Sequence, residues 1–513
     1  MVNQAVTDVN GNIDPSDAAE NNNHVSEVNG NGSNSVEVNA DGNEVQNGEA
    51  EKDVPGTYTK LDVCFLCAKK ATFVCEKCCL VAFCSEACQK VHRPENFCFP
   101  FMVEQKPGVG RFVVAVRDIE PLELVMWDNA AALGPRMGCS PCCLGCLKPV
   151  DGTYVCPRCS WPMCGEKCAG GRAHSIECNI LRHCPHKIEF SNFSEPHDYY
   201  RAIAPYRLFK VKEKVPEVWE RLGYLMDHNE DRIKDKELWD TYQKFVNTFL
   251  KSCDPSLADK DEDLNRAVGL LWTNAFACSN GGGQAIFPTF SFMSHSCVPN
   301  CSHSVFPNKT LALQAKQAIR AGEEFTIAYI SPLQGIIKRR NKLHDKWFFN
   351  CNCPRCASPT ELDSFTSVHL CQVFNDQKVL RLKYKHNSSK KCCKPDALLL
   401  PTDTSDDSAC WRCCLSECGS SVEPGELNRR ETQLAQEIAG LESLKVEVFE
   451  ECYERLKTEL HPNHYLMVLL KRHIIGLYSS AWTDLTTEDM ERVSFDIYLL
   501  RHLFTPDSGE EVL

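Results

Sequence analysis

Two cysteine runs of matching order constrain this chain more than any other feature. The first reads Cys64-x2-Cys67-x7-Cys75-x2-Cys78-x5-Cys84-x3-Cys88-x3-His92-x5-Cys98. The second reads Cys143-x2-Cys146-x9-Cys156-x2-Cys159-x4-Cys164-x3-Cys168-x5-His174-x3-Cys178. Each run offers eight thiolate or imidazole ligands, enough for two tetrahedral zinc sites with no coordination position left open, so the sites read as structural. Closely spaced pairs let one turn aim two sulfurs at the same ion. The metal then replaces a hydrophobic core in a short module, each site contributing on the order of 10 kcal/mol of folding free energy. A single cysteine of this kind can equally be a small buried hydrophobe. Two runs of eight in the same order cannot all be explained that way.

The rest of the composition supports metal over disulfides. The chain has 33 cysteines in 513 residues. It opens on polar, Asn-rich sequence without the basic and apolar segments of a secretory signal. No stretch is apolar for the roughly 18 residues a membrane span needs, so no membrane association is expected. A reducing compartment, nucleus and/or cytoplasm, follows, and clustered cysteines there bind metal. The net charge of -13 argues against direct nucleic-acid binding through the overall field. Residues 1–60 are rich in Asn, Gly, Ser and Glu and read as a disordered tail.

Between and beyond the clusters the patterns change. Arg111-Phe-Val-Val-Ala-Val-Arg117 suits a buried strand, and Glu324-Phe-Thr-Ile-Ala-Tyr-Ile330 reads as another. Helical spacing links Trp219, Leu222 and Met226, and then Tyr242, Val246 and Phe249. It returns with Leu427, Leu434, Ile438 and Leu441, and again with Tyr465, Leu469 and Leu477.

Several short motifs occur in a fixed order: Gly108-Val-Gly-Arg111, Asn274-Ala-Phe276, Phe292-Met-Ser-His-Ser-Cys-Val-Pro-Asn300, Gly322-Glu-Glu-Phe-Thr-Ile-Ala-Tyr329, and Cys351-x-Cys353-x2-Cys356 after Trp347-Phe-Phe349. Each alone is weak. A Gly-x-Gly marks any tight turn, and a tyrosine at a strand end is most often a packed aromatic.

Together they resemble the SET domain of protein lysine methyltransferases, and specifically the SET and MYND domain-containing family. The Cys143–Cys178 run stands where that family inserts its MYND finger between the halves of the SET fold. The additional N-terminal finger resembles an arthropod variant. The resemblance implies an α+β fold: a split, β-rich SET domain with an inserted zinc finger, an N-terminal zinc finger, a post-SET zinc site and a C-terminal helical region. The expected division is a tail over 1–60, an N-terminal MYND-type finger over 61–100 and the N-terminal SET part over 101–142. The second MYND-like finger follows over 143–178, a helical insertion over 179–265 and the C-terminal SET part over 266–350. A post-SET, cysteine-rich region over 351–420 and a helical region over 421–513 complete it.

The same resemblance implies roles for individual positions. Gly108, Gly110, Arg111, Asn274, Phe276, Ser294, His295, Tyr329 and Phe349 would bind S-adenosyl-L-methionine, with Tyr329 as the catalytic tyrosine and Phe349 also walling a lysine channel. Cys297, Cys351, Cys353 and Cys356 would form a post-SET zinc site, giving about five zinc ions with the four in the fingers. The partners implied are a protein substrate presenting a lysine and proline-containing peptides that dock on the MYND fingers. The implied activity is methyl transfer to a lysine amine of a histone or other protein.

Three positions depart from the family pattern. Ser294 stands where the family has Asn, Val109 where a basic residue is common, and Trp347 where an aromatic hydroxyl is expected. These departures keep a second reading open, a catalytically weak or inactive adaptor that recruits partner proteins. Further cysteines at Cys392, Cys393, Cys410, Cys413, Cys414 and Cys418 have spacings for one more zinc, in a register the pattern leaves ambiguous.

Overall fold

The computed structural model describes residues 57–94, 97–107, 110–185, 188–278, 282–306, 308–371, 397–441 and 445–480. The expected tail up to residue 56, Gly108, Val109, Cys392 and Cys393 lie outside the described residues.

Small antiparallel sheets wrap one apolar core. The first is a hairpin of strands Phe101–Lys106 and Gly110–Ala115, with Lys106 opposite Gly110. Gly110 of the Gly-x-Gly motif opens the second strand of this hairpin, so a strand already precedes the motif. Gly110 has φ +91°, a backbone conformation that glycine adopts without strain. A second sheet places Thr310–Ala315 between Cys301–Val305 and Leu124–Asn129. A third places Gly283–Ile286 between Ala132–Pro135 and Phe276–Cys278. The inward faces supply Phe101, Val113, Met126, Ile286 and Leu313, all fully buried.

The two cysteine runs meet this core differently. Cys64, Phe65, Leu66 and Phe83 of the N-terminal run belong to the same apolar cluster as the strands. The inserted run belongs to a second cluster, shared with helices Ile203–Lys214 and Asp261–Asn274. Helix Ile203–Lys214 presses on strand Ala132–Pro135 so closely that a Cβ on Gly134 would meet Ala204 Cβ at 2.7 Å. A small side chain is excluded there, not merely disfavoured.

The expected strand Glu324–Ile330 shrinks to Thr326–Ile327, which pairs in parallel with Ser294–His295. The ladder stops there because Tyr329 sends its N–H to a side chain (below). Trp219 and Leu222 lie on helix Pro216–Leu222, but Met226 follows it in an exposed turn. Tyr242 ends helix Lys236–Tyr242, which continues through a π-helical turn bearing Val246.

After helix Ile336–Trp347 comes a four-stranded antiparallel sheet, His369–Leu370, Leu398–Pro401, Trp411–Cys413 and Ser421–Val422 in that order. Helices Pro424–Ala439, Val446–Leu456 and Tyr465–Ser480 follow. Gly440 ends the first of them, leaving Leu441 outside. Among the described residues no helix is long and apolar enough to cross a membrane.

Candidate active site and metal centres

Five groups of four side chains converge so that each group's ligand atoms all lie within 4.8 Å of one another. A tetrahedral zinc with Zn–S bonds of about 2.3 Å sets sulfurs about 3.8 Å apart, and a nitrogen slightly closer. The contacts match. In the N-terminal finger, Cys64, Cys67, Cys84 and Cys88 form one quartet, with Sγ separations of 3.4 Å for Cys67–Cys84 and 3.9 Å for Cys84–Cys88. Cys75, Cys78, His92 and Cys98 form the other, with Cys75–Cys98 at 3.9 Å and Cys78 to His92 Nε2 at 3.4 Å. The inserted finger repeats this interleaving. Cys143, Cys146, Cys164 and Cys168 make one quartet, and Cys156, Cys159, His174 and Cys178 the other. Pairs one and three close the first site and pairs two and four the second, so each finger is cross-braced.

The fifth quartet is Cys297, Cys351, Cys353 and Cys356, with Cys297 and Cys356 sulfurs 3.6 Å apart. All five donor sets suit zinc, and four thiolates around one divalent ion leave a net negative site that asks for a donor. The fully buried Arg339 supplies it, its Nε 3.2 Å from Cys297 Sγ and an Nη 3.5 Å from Cys356 Sγ. The same guanidinium pairs with Glu361 at 2.7 Å, and Glu361 also binds Arg355 at 2.8 Å. Nothing in the spacing around Arg339 marks this role; it becomes visible only when the helix lies against the sulfurs.

From Cys297 the contacts run directly to Tyr329. His295 Nε2 lies 3.3 Å from Cys297 Sγ, and its Nδ1 accepts the Tyr329 backbone N–H at 3.0 Å. Since Nδ1 accepts, Nε2 carries the proton and donates to sulfur. Burial holds this imidazole neutral, pushing its pKa down to about 4, with Arg339 acting in the same direction. Both ring nitrogens are thus committed to the protein, and a ligand meets only the ring's carbon edge and faces.

Tyr329 donates its hydroxyl to the Met293 carbonyl at 2.5 Å. Burial, and then Glu324, raise its pKa above the ordinary phenol value, so it stays a phenol at neutral pH. Around it stand His295 at 5.3 Å and Trp347 at 5.1 Å between ring centroids, with Phe349 6.2 Å from His295. The Trp347 N–H, the one polar group that residue offers, is spent on the Thr273 carbonyl at 2.7 Å.

Thr273 leads into Asn274, whose amide nitrogen donates to the Met226 carbonyl at 2.9 Å. Two residues earlier in that turn, Tyr224 receives Arg111. The guanidinium donates to the Tyr224 carbonyl at 3.2 Å and stacks 4.6 Å over its ring. Arg111 and Asn274 thus both bind the 224–226 segment, while Trp347, Tyr329, His295 and Phe349 form a series of ring contacts. Phe276 turns into an aromatic group with Phe290 and His303 at 4.8 and 5.5 Å. Ser294 sits in the parallel ladder beside them. Arg111 Nε and Thr273 Oγ1 are buried without a hydrogen-bond partner. Buried donors of this kind suit a polar ligand.

Two residues with no role legible in their motifs hold the segments around the parallel pair in place. Asn300 accepts the Thr326 N–H at 2.8 Å and donates to the Glu324 carbonyl at 2.8 Å, lacing the two strands together. Asp128 accepts the N–H groups of Thr289 and Phe290 at 2.7 and 3.0 Å, fixing the turn that leads into Met293 and Ser294.

A split sheet, the cysteine quartets around it and a helical C-terminal region define a SET-like core. The chain belongs to the SET domain family, whose model, described as SET domain, matches residues 67–330. The SET domain-containing protein SmydA-8, isoform A, of Drosophila melanogaster is 28% identical over 319 residues, covering 60% of this chain and 63% of that protein. The Histone-lysine N-methyltransferase SMYD3 of Homo sapiens is 29% identical over 265 residues, covering 48% of this chain and 59% of that one. The chain thus spans less than two thirds of the length of these relatives. A solved SET domain of LSMT bound to lysine and AdoHcy aligns with a TM-score of 0.31 at 12% identity, over 54% of this chain and 61% of that one. That overlap is too loose to add to the family match.

Proposed function

We propose that the protein transfers a methyl group from S-adenosyl-L-methionine to the side-chain amine of a lysine in a protein substrate. The observation that carries this reading is the Tyr329 phenol, set among Trp347, His295 and Phe349 and tied through His295 to a metal quartet. Membership of the SET family and a relative named as a histone-lysine methyltransferase support it. When bound, S-adenosyl-L-methionine would supply an electrophilic methyl on a sulfonium leaving group. Arg111, Asn274 and the His295 ring edge are the positions we assign to holding it.

This chain's own residues would do three things. Aromatic walls exclude water and favour the neutral form of an incoming lysine. Tyr329, its proton engaged by Met293, keeps lone pairs to accept from the amine N–H and so aim the nitrogen. The zinc quartet, through His295, fixes where the Tyr329 backbone lies. Tyr329→Phe should lower methyl incorporation from labelled cofactor by about 100-fold, the cost of lost positioning, with zinc content unchanged. Full activity in that variant would remove Tyr329 from the assignment.

A second reading, a non-catalytic adaptor, is favoured by the short Ser294 and by the committed Trp347 N–H. Titration calorimetry decides between them: no heat at millimolar S-adenosyl-L-methionine leaves only the adaptor.

For partners, a cleft of about 840 Å³ between the N-terminal finger and helix Pro216–Leu222, bordered by Phe99, Trp127 and Tyr224, supports docking of a proline-containing peptide. Trp127→Ala should abolish such binding in a fluorescence titration; unaltered affinity would place the peptide elsewhere. The many metal-bound thiols support a reducing compartment, nucleus or cytoplasm.

A further inference from the structure

Outside the five quartets, three more cysteines point at one another. Cys371 follows strand His369–Leu370, Cys413 ends strand Trp411–Cys413, and Cys418 lies in the turn before strand Ser421–Val422. All three are buried, at 3%, 5% and 3% exposure. Cys371 and Cys418 sulfurs are 3.7 Å apart, the edge length of a zinc tetrahedron. Cys413 also lies within interaction range of Cys418.

The backbone is built to hold this convergence. Cys371 N–H donates to the Ala397 carbonyl at 2.7 Å, fastening the first strand to the second. Cys413 N–H donates to the Ser420 carbonyl at 3.0 Å, and Cys418 N–H to the Leu415 carbonyl at 3.0 Å. These bonds fold residues 413–420 into a tight knuckle, with Gly419 at φ +63° providing the left-handed step a side chain would oppose. Ser420, fully buried, sets its Oγ 3.1 Å from Cys418 Sγ. Against a thiolate that hydroxyl can only donate, as an outer partner of a metal ligand does.

We propose that Cys371, Cys413 and Cys418 are ligands of a sixth zinc ion, which pins together the two ends of the four-stranded sheet. Cys418 faces both Cys371 and Cys413, and buried thiols gain little from such contacts in an apolar setting. As thiolates they need a cation, and the convergence of buried sulfurs suits a divalent ion. Binding converts the three thiols to thiolates and releases their protons to solvent. The sheet's two outer strands have only two residues each, so a metal across them would add to few ladder bonds. The ion lies in the same apolar cluster as Cys297, Cys351 and Cys356, so it braces the platform beneath the fifth quartet.

The test is native mass spectrometry of the full, reduced chain, counting bound zinc. The chain should carry one ion more than either Cys413→Ser or Cys418→Ser carries. An equal count in chain and variants overturns the proposal. Because a variant that unfolds loses further ions, iodoacetamide labelling of the unmodified protein gives an independent answer. Cys371, Cys413 and Cys418 should resist alkylation until a chelator removes zinc and should then label together. Alkylation of the three at the same rate before and after chelation, or a native Cys371–Cys418 disulfide, overturns it equally.

Discussion

The two fingers share an order of ligands and an interleaved geometry, yet they differ in how they are held to the protein. In the N-terminal finger the ligand His92 is packed edge-on against Phe65 at 5.2 Å and tilted against Phe83 at 5.4 Å, and its Nδ1 has no hydrogen-bond partner. That finger is continuous with the apolar core of the SET strands. In the inserted finger the ligand His174 donates from Nδ1 to the fully buried Glu177 at 3.0 Å. Glu177 in turn pairs with Arg207 at 2.6 Å, and Arg207 donates to the carbonyls of Leu144 in the finger and Leu133 in the core sheet. One finger is attached by shape and apolar contact. The other packs on helices Ile203–Lys214 and Asp261–Asn274 and adds one arginine that reads a carboxylate and two carbonyls at once. A metal module can therefore be integrated as an extension of a core or docked as a separate piece, with the same ligand set.

The largest effect should come from removing metal, and it should differ between the fingers. Losing a zinc costs on the order of 10 kcal/mol of local folding free energy. Cys67→Ser opens a site whose neighbours Phe65 and Leu66 sit in the main core, so it should lower the melting temperature of the whole SET region. Cys146→Ser opens a site on the outer part of the inserted finger, beside the exposed Cys164. Hydrogen exchange should then rise over 143–178 while strands 101–115 keep their protection. If Cys146→Ser exposes those strands as fully as Cys67→Ser does, the distinction between integrated and docked fingers fails.

Next come the residues of the buried ion pair. Arg207→Met leaves Glu177 charged and unpaired and should cost about 3–5 kcal/mol, measured by denaturant unfolding. Glu177→Gln keeps the shape and weakens the polarisation of His174; it should reduce the affinity of that one zinc about 10–100-fold in a chelator competition. The N-terminal finger has no equivalent residue to change. A variant pair that altered His92's site as much as His174's would show that the carboxylate acts globally, against the docking account.

Why the cysteines were legible and Arg207 was not follows from distance along the chain. Finger ligands are local: every one lies within about three dozen residues of its partners, so spacing alone groups them. The pairing inside each group depends on how the turns fold, and the reading left it open. Cys371 sits apart in the chain from Cys413 and Cys418 and escaped notice until the sheet brought them together. Glu177 and Arg207 belong to no motif, and 30 residues separate them along the chain. The strand Phe101–Lys106 was missed because only its first half is apolar, ending Glu104-Gln105-Lys106. Helix Asp261–Asn274 was obscured by Gly269, which is there because a Cβ would meet the Asp227 carbonyl oxygen at 2.4 Å. The strand expected over 324–330 was too long because Tyr329 gives its N–H to His295 and not to a neighbouring strand. In each case a tertiary contact overrode a local preference.

The smallest effect should separate the fingers at their helix starts. In the N-terminal finger Ser85 caps helix Glu86–His92, its Oγ accepting the Cys88 N–H at 3.4 Å. In the inserted finger Gly165 holds the corresponding place before helix Glu166–Ala169 and has no side chain to cap it. Both helices carry a ligand cysteine in their first turn, Cys88 and Cys168, so the cap steadies a sulfur as well as an amide. Ser85→Ala should cost about 0.5–1 kcal/mol in thermal unfolding, near the low end because the bond is long. Ser85→Gly should cost only a few tenths, since glycine at this position leaves the amide open to water. That variant makes the N-terminal finger resemble the inserted one at this position. If it also releases zinc from the Cys64, Cys67, Cys84 and Cys88 site more readily, the cap contributes to holding metal. If stability falls and zinc release is unchanged, the cap acts on the helix alone, and the fingers differ only in how they are anchored.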